Sequence, residues 1–177
     1  MKKFTEIINE QLTYDYGCVM INFDIPNWND IIKEIEKDDI YDEDGFGLEK
    51  ESHITLLFGY PKEIAVKDIK NIIGNLDSFY IEMQETSLFQ NDNYDVLKFD
   101  VNHDTLHALN DSLKQLPNTS TFPDYHPHMT ISYIKKGRGI KYIKKYDNLI
   151  VAKPLEIVYS LPTGTKEKKQ VTLLKFK

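Results

Sequence analysis

The sequence predicts an α+β fold in which antiparallel strands alternate with a few helices. Several short segments place apolar residues at every second position, which is typical of strands with one buried face. Other segments repeat apolar residues at intervals of three and four, which is typical of amphipathic helices. The 177 residues suit one domain, or two small lobes that share a cleft, and are enough to bury a core.

The first elements are a buried strand and a helix. Residues 17–24 are rich in Val, Met, Ile and Phe and predict the strand, which Pro26 ends. Isoleucines at helical spacing predict a helix over residues 28–37, with Asn27 as its N-cap. An acidic loop that contains glycine, residues 37–52, follows.

The middle of the chain predicts a strand, a helix and a hairpin. Residues 53–58 form the strand, and residues 66–76 place five apolar side chains on one helical face. Residues 79–84 and 97–101 alternate apolar and polar side chains. The Asn-Asp-Asn sequence at residues 91–93 is typical of a turn, so these two strands are expected to form a β-hairpin.

The last third of the chain completes the sheet. Its predicted elements are a leucine-striped helix at 103–116, a strand at 128–134, a short basic helix at 139–147, and strands at 155–160 and 170–176. The polar loop between the last two strands, residues 161–169, is suited to cover a ligand.

One four-residue pattern occurs twice. His53-Ile54-Thr55-Leu56 and His128-Met129-Thr130-Ile131 both read His, apolar, Thr, apolar, and an aromatic residue follows each His by five positions. Because alternate side chains of a strand share a face, each strand presents one imidazole and one hydroxyl together. If pseudo-symmetry relates the strands, both pairs face one cleft. Coincidence is the alternative, but two full matches among 5 histidines disfavour it.

These two motifs resemble those of the LigT-like 2H phosphoesterase superfamily, which is named for two His-x-Thr/Ser-x motifs. Members resemble one another over most of a chain of this length. The segment from Phe122 to Tyr133, FPDYHPHMTISY, is most similar to the phage anti-CBASS branch, which degrades cyclic nucleotide signals of bacterial immunity. The resemblance implies a single bilobal domain over residues 1–177, in which two pseudo-symmetric antiparallel sheets with outer helices enclose a central cleft.

The resemblance also implies the chemistry. Phosphodiester cleavage needs one group to take the proton of the nucleophile and another to protonate the leaving oxygen, and histidine suits both tasks. His53 and His128 are the expected acid and base, in an order that the sequence leaves open. Thr55 and Thr130 are expected to donate hydrogen bonds to the non-bridging oxygens. No metal ion or other cofactor is required.

Three functions remain open. The first is hydrolysis of cyclic di- or trinucleotides, which would counteract CBASS-type immunity. The second is an RNA-end enzyme that opens 2′,3′-cyclic phosphates or cleaves 2′-5′ links. The third, of another class, is a protein that sequesters nucleotides, which the two intact motifs disfavour. The expected partner is therefore a cyclic oligonucleotide or short RNA.

Aromatic side chains that clamp bases are a feature of the anti-CBASS branch, and here the chain departs from it. Its first strand begins Gly17-Cys18-Val19, without an aromatic residue. Tyr14 and Tyr16 precede that strand, and Tyr125 and Tyr133 flank the second motif. These four tyrosines are the expected substrate-binding residues, with local packing an alternative for Tyr125 and the favoured alternative for Tyr133.

Other candidate sites are weaker. His103 and His107 are four residues apart on a predicted helix, but Asp104 replaces the Glu of the zinc motif H-E-x-x-H. We therefore expect His103 to cap the helix and no metal to bind. The single cysteine, Cys18, is expected in the core. Six basic residues between 135 and 145 either contact a second phosphate or form a solvated face.

Composition limits the location and the partners. The single cysteine suits a reducing compartment, and no apolar run is long enough to span a bilayer. We therefore expect a cytoplasmic protein without a membrane partner, in the host-cell cytoplasm if a phage encodes it. The net charge of −6 disfavours long nucleic acid as a partner. The chain itself does not fix an oligomeric state, and a monomer is favoured.

Overall fold

The computed structural model describes residues 14–43, 46–121 and 124–177. Within these residues the architecture is α+β, as the sequence predicts. The strands are β1 (Gly17–Asp24), β2 (His53–Tyr60), β3 (Ile81–Gln90), β4 (Tyr94–Asp100), β5 (His128–Lys135), β6 (Lys145–Ser160) and β7 (Gln170–Lys175). The helices are α1 (Trp28–Lys33), α2 (Val66–Ile73) and α3 (Asp104–Leu113), with 3₁₀ turns at Lys37–Asp39 and Gly139–Tyr142. None of these helices is long and apolar enough to cross a membrane.

The sheet consists of two four-stranded antiparallel halves that share β6. In the first half the order is β2-β1-β6-β7, and β1 pairs with residues 153–160 of β6. In the second half the order is β5-β4-β3-β6, and β3 pairs with residues 145–152. The halves meet again where β2 pairs with β5, through Ile54 and Met129. The two sheets implied by the resemblance are therefore present and joined along their edges.

The two halves also share their irregularities. In the β1–β2 pair the register shifts at Leu56, directly after the threonine of the first motif. In the β4–β5 pair it shifts at Ile131, directly after the threonine of the second motif. A bulge adds one residue and re-aims the side chains that follow it. The sequence repeat thus reflects a structural repeat, in which β2 corresponds to β5 and β1 to β4.

Each half of the sheet packs against a helix that follows a strand of the other half. α1 follows β1 but packs against β5, and α3 follows β4 but packs against β2. Asn110 of α3 donates a hydrogen bond to the carbonyl of Leu56 at 2.6 Å, and the Tyr60 hydroxyl of β2 donates to the carbonyl of Leu113 at 2.6 Å. The buried apolar residues of both halves form one cluster. The helices therefore cover one face of the sheet. They do not cover the opposite face, which carries the His and Thr side chains of the two motifs and is called the motif face below.

Several predicted elements have different bounds in the structure. The helix predicted for residues 28–37 ends at Lys33, and Asn27 does not cap it through its side chain, because its backbone is left-handed (φ 66°). The basic helix predicted at 139–147 is a single 3₁₀ turn. It ends early because residues 145–147 already belong to β6, whose first ten residues sequence reasoning missed.

The predicted hairpin is confirmed, although its first strand runs further than the alternation indicated. β3 extends to Gln90, and the turn at residues 91–93 connects it to β4. The side-chain oxygen of Asn91 accepts hydrogen bonds from the backbone N–H groups of Asn93 and Tyr94, at 2.8 and 2.9 Å. This is the local bonding that makes asparagine a turn residue.

Candidate active site

The side chains of the two motifs lie on one face of the sheet, where its halves meet. Ile54 and Met129 are strand partners and both are fully buried. Successive side chains of a strand point to opposite faces, so the His and Thr on either side of each point away from the core. His53 also lies close enough to lower the pKa of His128 through charge repulsion. The structure thus brings the two predicted His-Thr pairs together.

Each imidazole is oriented by a backbone carbonyl two residues earlier in the chain. Nδ1 of His53 lies 3.1 Å from the carbonyl oxygen of Glu51, and Nδ1 of His128 lies 2.8 Å from that of His126. A carbonyl oxygen can only accept, so Nδ1 carries the proton and donates it. The lone pair of the neutral ring is then on Nε2, which is left to exchange a proton with a ligand.

The surroundings of His128 favour its uncharged form. Burial lowers the pKa of His128 below its usual value, whereas the hydrogen bond to the carbonyl of His126 raises it. Lys98 lowers this pKa, Asp100 raises it, and His53 lowers it, with a net shift downwards. A neutral imidazole whose Nε2 lone pair is available is suited to accept a proton.

Lys98 and Asp100 are the β4 partners of the second motif. Lys98 is the strand partner of Thr130, and Asp100 is the strand partner of His128. The Lys98 ammonium donates to the hydroxyl of Ser87 at 2.8 Å and forms an ion pair with Asp100. Partial burial raises the pKa of Asp100, but the hydrogen bonds that Asp100 accepts from Lys98 and Ser87 lower it, and the net shift is downwards. This part of the site therefore contains a buried ammonium and a carboxylate.

Cys18 lies on the motif face and not in the core where the sequence placed it. The half-buried residues of β1 are Cys18, Met20 and Asn22, which alternate with buried residues. Burial raises the pKa of its thiol to about 12, while a hydrogen bond with Thr55 and the charge of Lys168 lower it by less. The thiol therefore stays protonated at neutral pH, and it is not a nucleophile.

Glu49 and Lys168 lie near the first motif. Burial raises the pKa of Glu49, whereas the charges of His53 and Lys168 lower it and that of Glu51 raises it. Lys168 belongs to the loop of residues 161–169. The loop that the sequence singled out as a cover therefore reaches the residues around His53.

Tyr14 and Tyr16 connect this loop to the first motif. The backbone N–H of Tyr14 donates to the carbonyl of Thr165 at 2.9 Å, and its carbonyl accepts from the N–H of Gly164 at 3.0 Å. The ring of Tyr16 makes an edge contact with Phe58, at 6.1 Å between centroids. Phe58 is the aromatic residue that follows the first motif histidine by five positions.

Tyr125 and Tyr133 are both engaged within the protein. The Tyr125 hydroxyl donates to the carbonyl of Thr55 at 2.9 Å. Tyr133 packs against Phe46 at 4.6 Å and against Tyr94 at 5.5 Å between centroids. Burial raises the pKa of both hydroxyls. The substrate-binding role of the four tyrosines stays a prediction.

A groove of about 710 Å³ opens beside the His53 end of the cluster. It begins at Asn22, the strand partner of His53, and at Glu51, whose carbonyl orients the His53 ring. Trp28 and Glu156 line its further part. The groove adjoins the first motif through Asn22 and Glu51, and none of the four motif residues is among the residues that line it.

Sequence reasoning missed four of the charged residues around the motifs. For Lys98 and Asp100 a signal existed, because both alternate with apolar residues and must share the polar face of their strand. Using it required the pairing of β4 with β5, which the sequence does not state. Glu49 and Lys168 come from loops without periodicity, and no sequence signal identified them.

The weaker candidate sites have structural explanations. His103 is the N-cap of α3, where its Nδ1 accepts a hydrogen bond from the N–H of Thr105 at 3.2 Å, which confirms its predicted role. His107 contacts the ring of Tyr125. Within the part of the chain that the structure describes, no group of three or more His, Cys, Asp or Glu side chains is placed to hold a metal ion.

The basic residues between 135 and 145 contact acidic elements of the first half of the chain. Lys141 pairs with Asp39 at 2.7 Å and with Glu36 at 2.8 Å, and Lys144 pairs with Glu34. These pairs favour the interpretation of the cluster as a surface face over a second phosphate site.

The chain is similar to known proteins in family and in fold. A family profile described as the 2′-5′ RNA ligase superfamily matches residues 23–146, which include both motifs. None of the curated proteins matches. Similar solved structures are Escherichia coli LigT with 3′-AMP (TM-score 0.61, 14% identity, 90% of this chain and 97% of that chain), E. coli LigT with ATP (0.54, 12%, 90% and 96%) and a phosphoesterase (0.53, 10%, 90% and 96%). At these identities the likeness shows the fold.

Proposed function

This chain belongs to the 2′-5′ RNA ligase superfamily and is an enzyme of the phosphoesterase class, and from that premise we propose that it hydrolyses cyclic di- or trinucleotide second messengers without a metal ion. Such an activity would counteract CBASS-type bacterial immunity. The observation that supports the proposal is the meeting of two His-Thr pairs on one face, at the pairing of Ile54 with Met129.

The proposed reaction is an in-line displacement at phosphorus. For a 3′-5′ link, one imidazole accepts the proton of the ribose 2′-OH through Nε2, and the 2′ oxygen attacks the phosphorus. The bond to the 5′ oxygen breaks, and the other imidazole, protonated at Nε2, donates its proton to that oxygen. The products are a 2′,3′-cyclic phosphate and a free 5′-OH. Water, activated with the two roles exchanged, then opens the cyclic phosphate.

Thr55 and Thr130 are the proposed donors to the non-bridging oxygens. Each hydroxyl shares a strand face with its histidine, so both lie beside the phosphorus that the imidazoles flank. Negative charge builds up on these oxygens in the transition state, and a well-placed donor stabilises it by roughly 2.7–4 kcal/mol. This stabilisation does not depend on a metal ion.

Two aromatic pairs, of which Phe58 and Tyr133 occupy equivalent positions of the halves, support a nucleotide with bases on both sides of the phosphate. Tyr16 with Phe58 lies beyond the first motif, and Phe46 with Tyr133 lies beyond the second. Bases stack on aromatic rings with little sequence preference. The E. coli LigT structures hold 3′-AMP and ATP, which also supports a nucleotide ligand here.

An RNA-end phosphodiesterase is the second candidate. The family is named for 2′-5′ RNA ligases, and a similar structure holds 3′-AMP, a nucleotide with a terminal 3′ phosphate. An enzyme for 2′,3′-cyclic ends or 2′-5′ links would use the same four residues. The pocket around the bases, and not the chemistry, distinguishes the two candidates.

The test is a substrate panel in the presence of EDTA. The protein is incubated with cyclic dinucleotides, cyclic trinucleotides, 2′-5′ oligoadenylate and 2′,3′-cyclic nucleotides, and the products are identified by mass. We expect a cyclic oligonucleotide to be linearised with EDTA present, and His53→Ala and His128→Ala to abolish cleavage. Activity lost in chelator and restored by added metal would contradict the mechanism.

The remaining outcomes separate the candidates. Cleavage of only the linear or 2′,3′-cyclic substrates would favour the RNA-end enzyme, and binding without turnover would favour a sequestering protein. His103→Asn is a matched control, because asparagine still caps the helix and residue 103 lies outside the motifs. It should leave activity unchanged.

A further inference from the structure

The two halves of the site differ in charge at the residues that pair with the motif threonine and the motif histidine. In the second half of the sheet, Lys98 and Asp100 are the strand partners of Thr130 and His128. In the first half, the partners of Thr55 and His53 are Met20 and Asn22. The residues at the equivalent positions of the first half are uncharged, so strand pairing alone does not require a lysine there.

Lys98 is buried to an extent that a lysine seldom reaches. Its side chain is only 3% exposed, although the carboxylate it pairs with is 62% exposed. Lysine is almost never fully buried unless it is paired, because removing an ammonium from water is costly. A solvated partner such as Asp100 offsets that cost poorly, since exposed ion pairs contribute little. Stability alone therefore does not account for Lys98.

One aromatic ring fixes Lys98 beside the second motif histidine. The Lys98 Nζ lies 4.0 Å from the ring centroid of Phe89. The same ring makes an edge contact with His128, at 4.9 Å between centroids and an interplanar angle of 87°. Phe89 and Ser87 thus hold the ammonium on the same side of the sheet as the imidazole.

We infer that Lys98 is a positioning residue of this site, which holds His128 as the proton acceptor of the pair and so makes the two histidines inequivalent. The inference rests on the proposed function for its catalytic meaning. It assigns the attacking hydroxyl to the His128 side of the phosphate and the leaving oxygen to the His53 side.

The charged groups that face His128 come from two strands. β4 contributes Lys98 and Asp100, and β2 contributes His53. β3 contributes the uncharged Phe89 and Ser87. The charges of Lys98 and Asp100 act on His128 in opposite directions, so their removal should produce opposite shifts.

The experiment is an NMR titration of the His128 ring in the intact protein without substrate. Lys98→Met, which copies the residue at the equivalent position of the first half, should raise the pKa of His128 by about one unit. Asp100→Asn should lower it. Lys98→Arg, which keeps the charge, should leave it close to the wild-type value.

A purely structural role for Lys98 predicts a different pattern. In that case Lys98→Met and Asp100→Asn, which break the same ion pair, would shift the pKa in the same direction or not at all, and either result would overturn the inference. If Lys98→Met does not fold, the Asp100→Asn and Lys98→Arg titrations decide alone.

In activity assays the acidic limb of kcat/KM should move to higher pH in Lys98→Met. A wild-type protein that cleaves nothing would overturn the proposed function, whereas the titration would still decide the role of Lys98.

Discussion

The imidazoles of the two motifs are oriented by the backbone of their own segments. Each Nδ1 donates to the carbonyl two residues earlier, so no second side chain is needed to select the tautomer. In many other sites a carboxylate does this work. Here the orientation is a property of a short stretch of chain, which consists of the motif histidine and the two residues before it.

The lowered pKa of His128 has a consequence for stability. In the unfolded chain this histidine has its ordinary pKa, so on acidification the unfolded state takes up a proton before the folded state does. His128 therefore contributes stability above its ordinary pKa. That contribution is lost as the pH falls through the interval between the ordinary and the lowered value.

We expect the wild-type protein to lose stability more steeply than His128→Asn as the pH falls below about 7. Urea denaturation at a series of pH values measures the two free energies of unfolding. Because asparagine does not titrate, the difference between the proteins should shrink or change sign towards acid pH. Parallel curves would show that His128 has the same pKa in both states and would contradict this account.

At the level of elements, the sequence predicted the strands and helices in which apolar residues recur at a regular spacing. The strands of both motifs, the β-hairpin and the helix at α3 follow from alternation or helical spacing and are confirmed. The first ten residues of β6 lack that signal, because Leu149 and Val151 are exposed apolar residues and Lys145 and Asp147 are exposed charged ones. Their strand conformation comes from pairing with β3, which is a tertiary contact.

The residues of the candidate site also fall into two groups, those that the sequence predicted and those that it did not. His53, Thr55, His128 and Thr130 could be predicted because each pair lies within one strand, where spacing fixes the shared face. The ammonium of Lys98 could not be placed, since it depends on which strands are neighbours. The register of β4 with β5 also shifts at the bulge after Thr130.

Gly59 in β2 is a glycine whose replacement we expect to be costly. Its φ is +114°, and a Cβ there would lie 2.9 Å from the backbone nitrogen of Ser120. The carbonyl of Gly59 also accepts a hydrogen bond from the N–H of Thr119 at 2.9 Å. Gly59→Ala therefore combines backbone strain, which costs about 1–3 kcal/mol, with a clash against a backbone that cannot easily move.

The matched control is Gly137→Ala. Gly137 also has a positive φ, +77°, but a Cβ added there would have no atom of the described residues within 4 Å, its chain neighbours apart. Its replacement should cost only the strain of the left-handed conformation, about 1–2 kcal/mol. Urea denaturation of both variants measures the difference. Equal losses would mean that the contact with residues 119–120 adds nothing, and the account of Gly59 would be wrong.

At the scale of the whole molecule, the symmetry of the backbone and the asymmetry of the charges serve different ends. The repeated strand order places the two motif imidazoles on one face of the sheet, which the proposed in-line displacement requires. A reaction with distinct attacking and leaving oxygens also needs the two sides to differ. The fold supplies the first condition, and under the inference above Lys98 supplies the second without altering the strands.

The exchange of helices between the halves predicts that they unfold together. α3 follows β4 of the second half, yet Leu113 is fully buried and its carbonyl accepts from Tyr60 of the first half. Leu113→Ala should cost about 2–5 kcal/mol, because it leaves a cavity where α3 packs on β2. Since β6 also runs through both halves, we expect protection from hydrogen exchange to fall in β2 and β4 alike.

Leu155→Ala is the control, because Leu155 is 50% exposed on the shared strand and its removal should leave exchange nearly unchanged. Loss of protection confined to one half would mean that the halves are separate folding units, contrary to a single domain over residues 1–177.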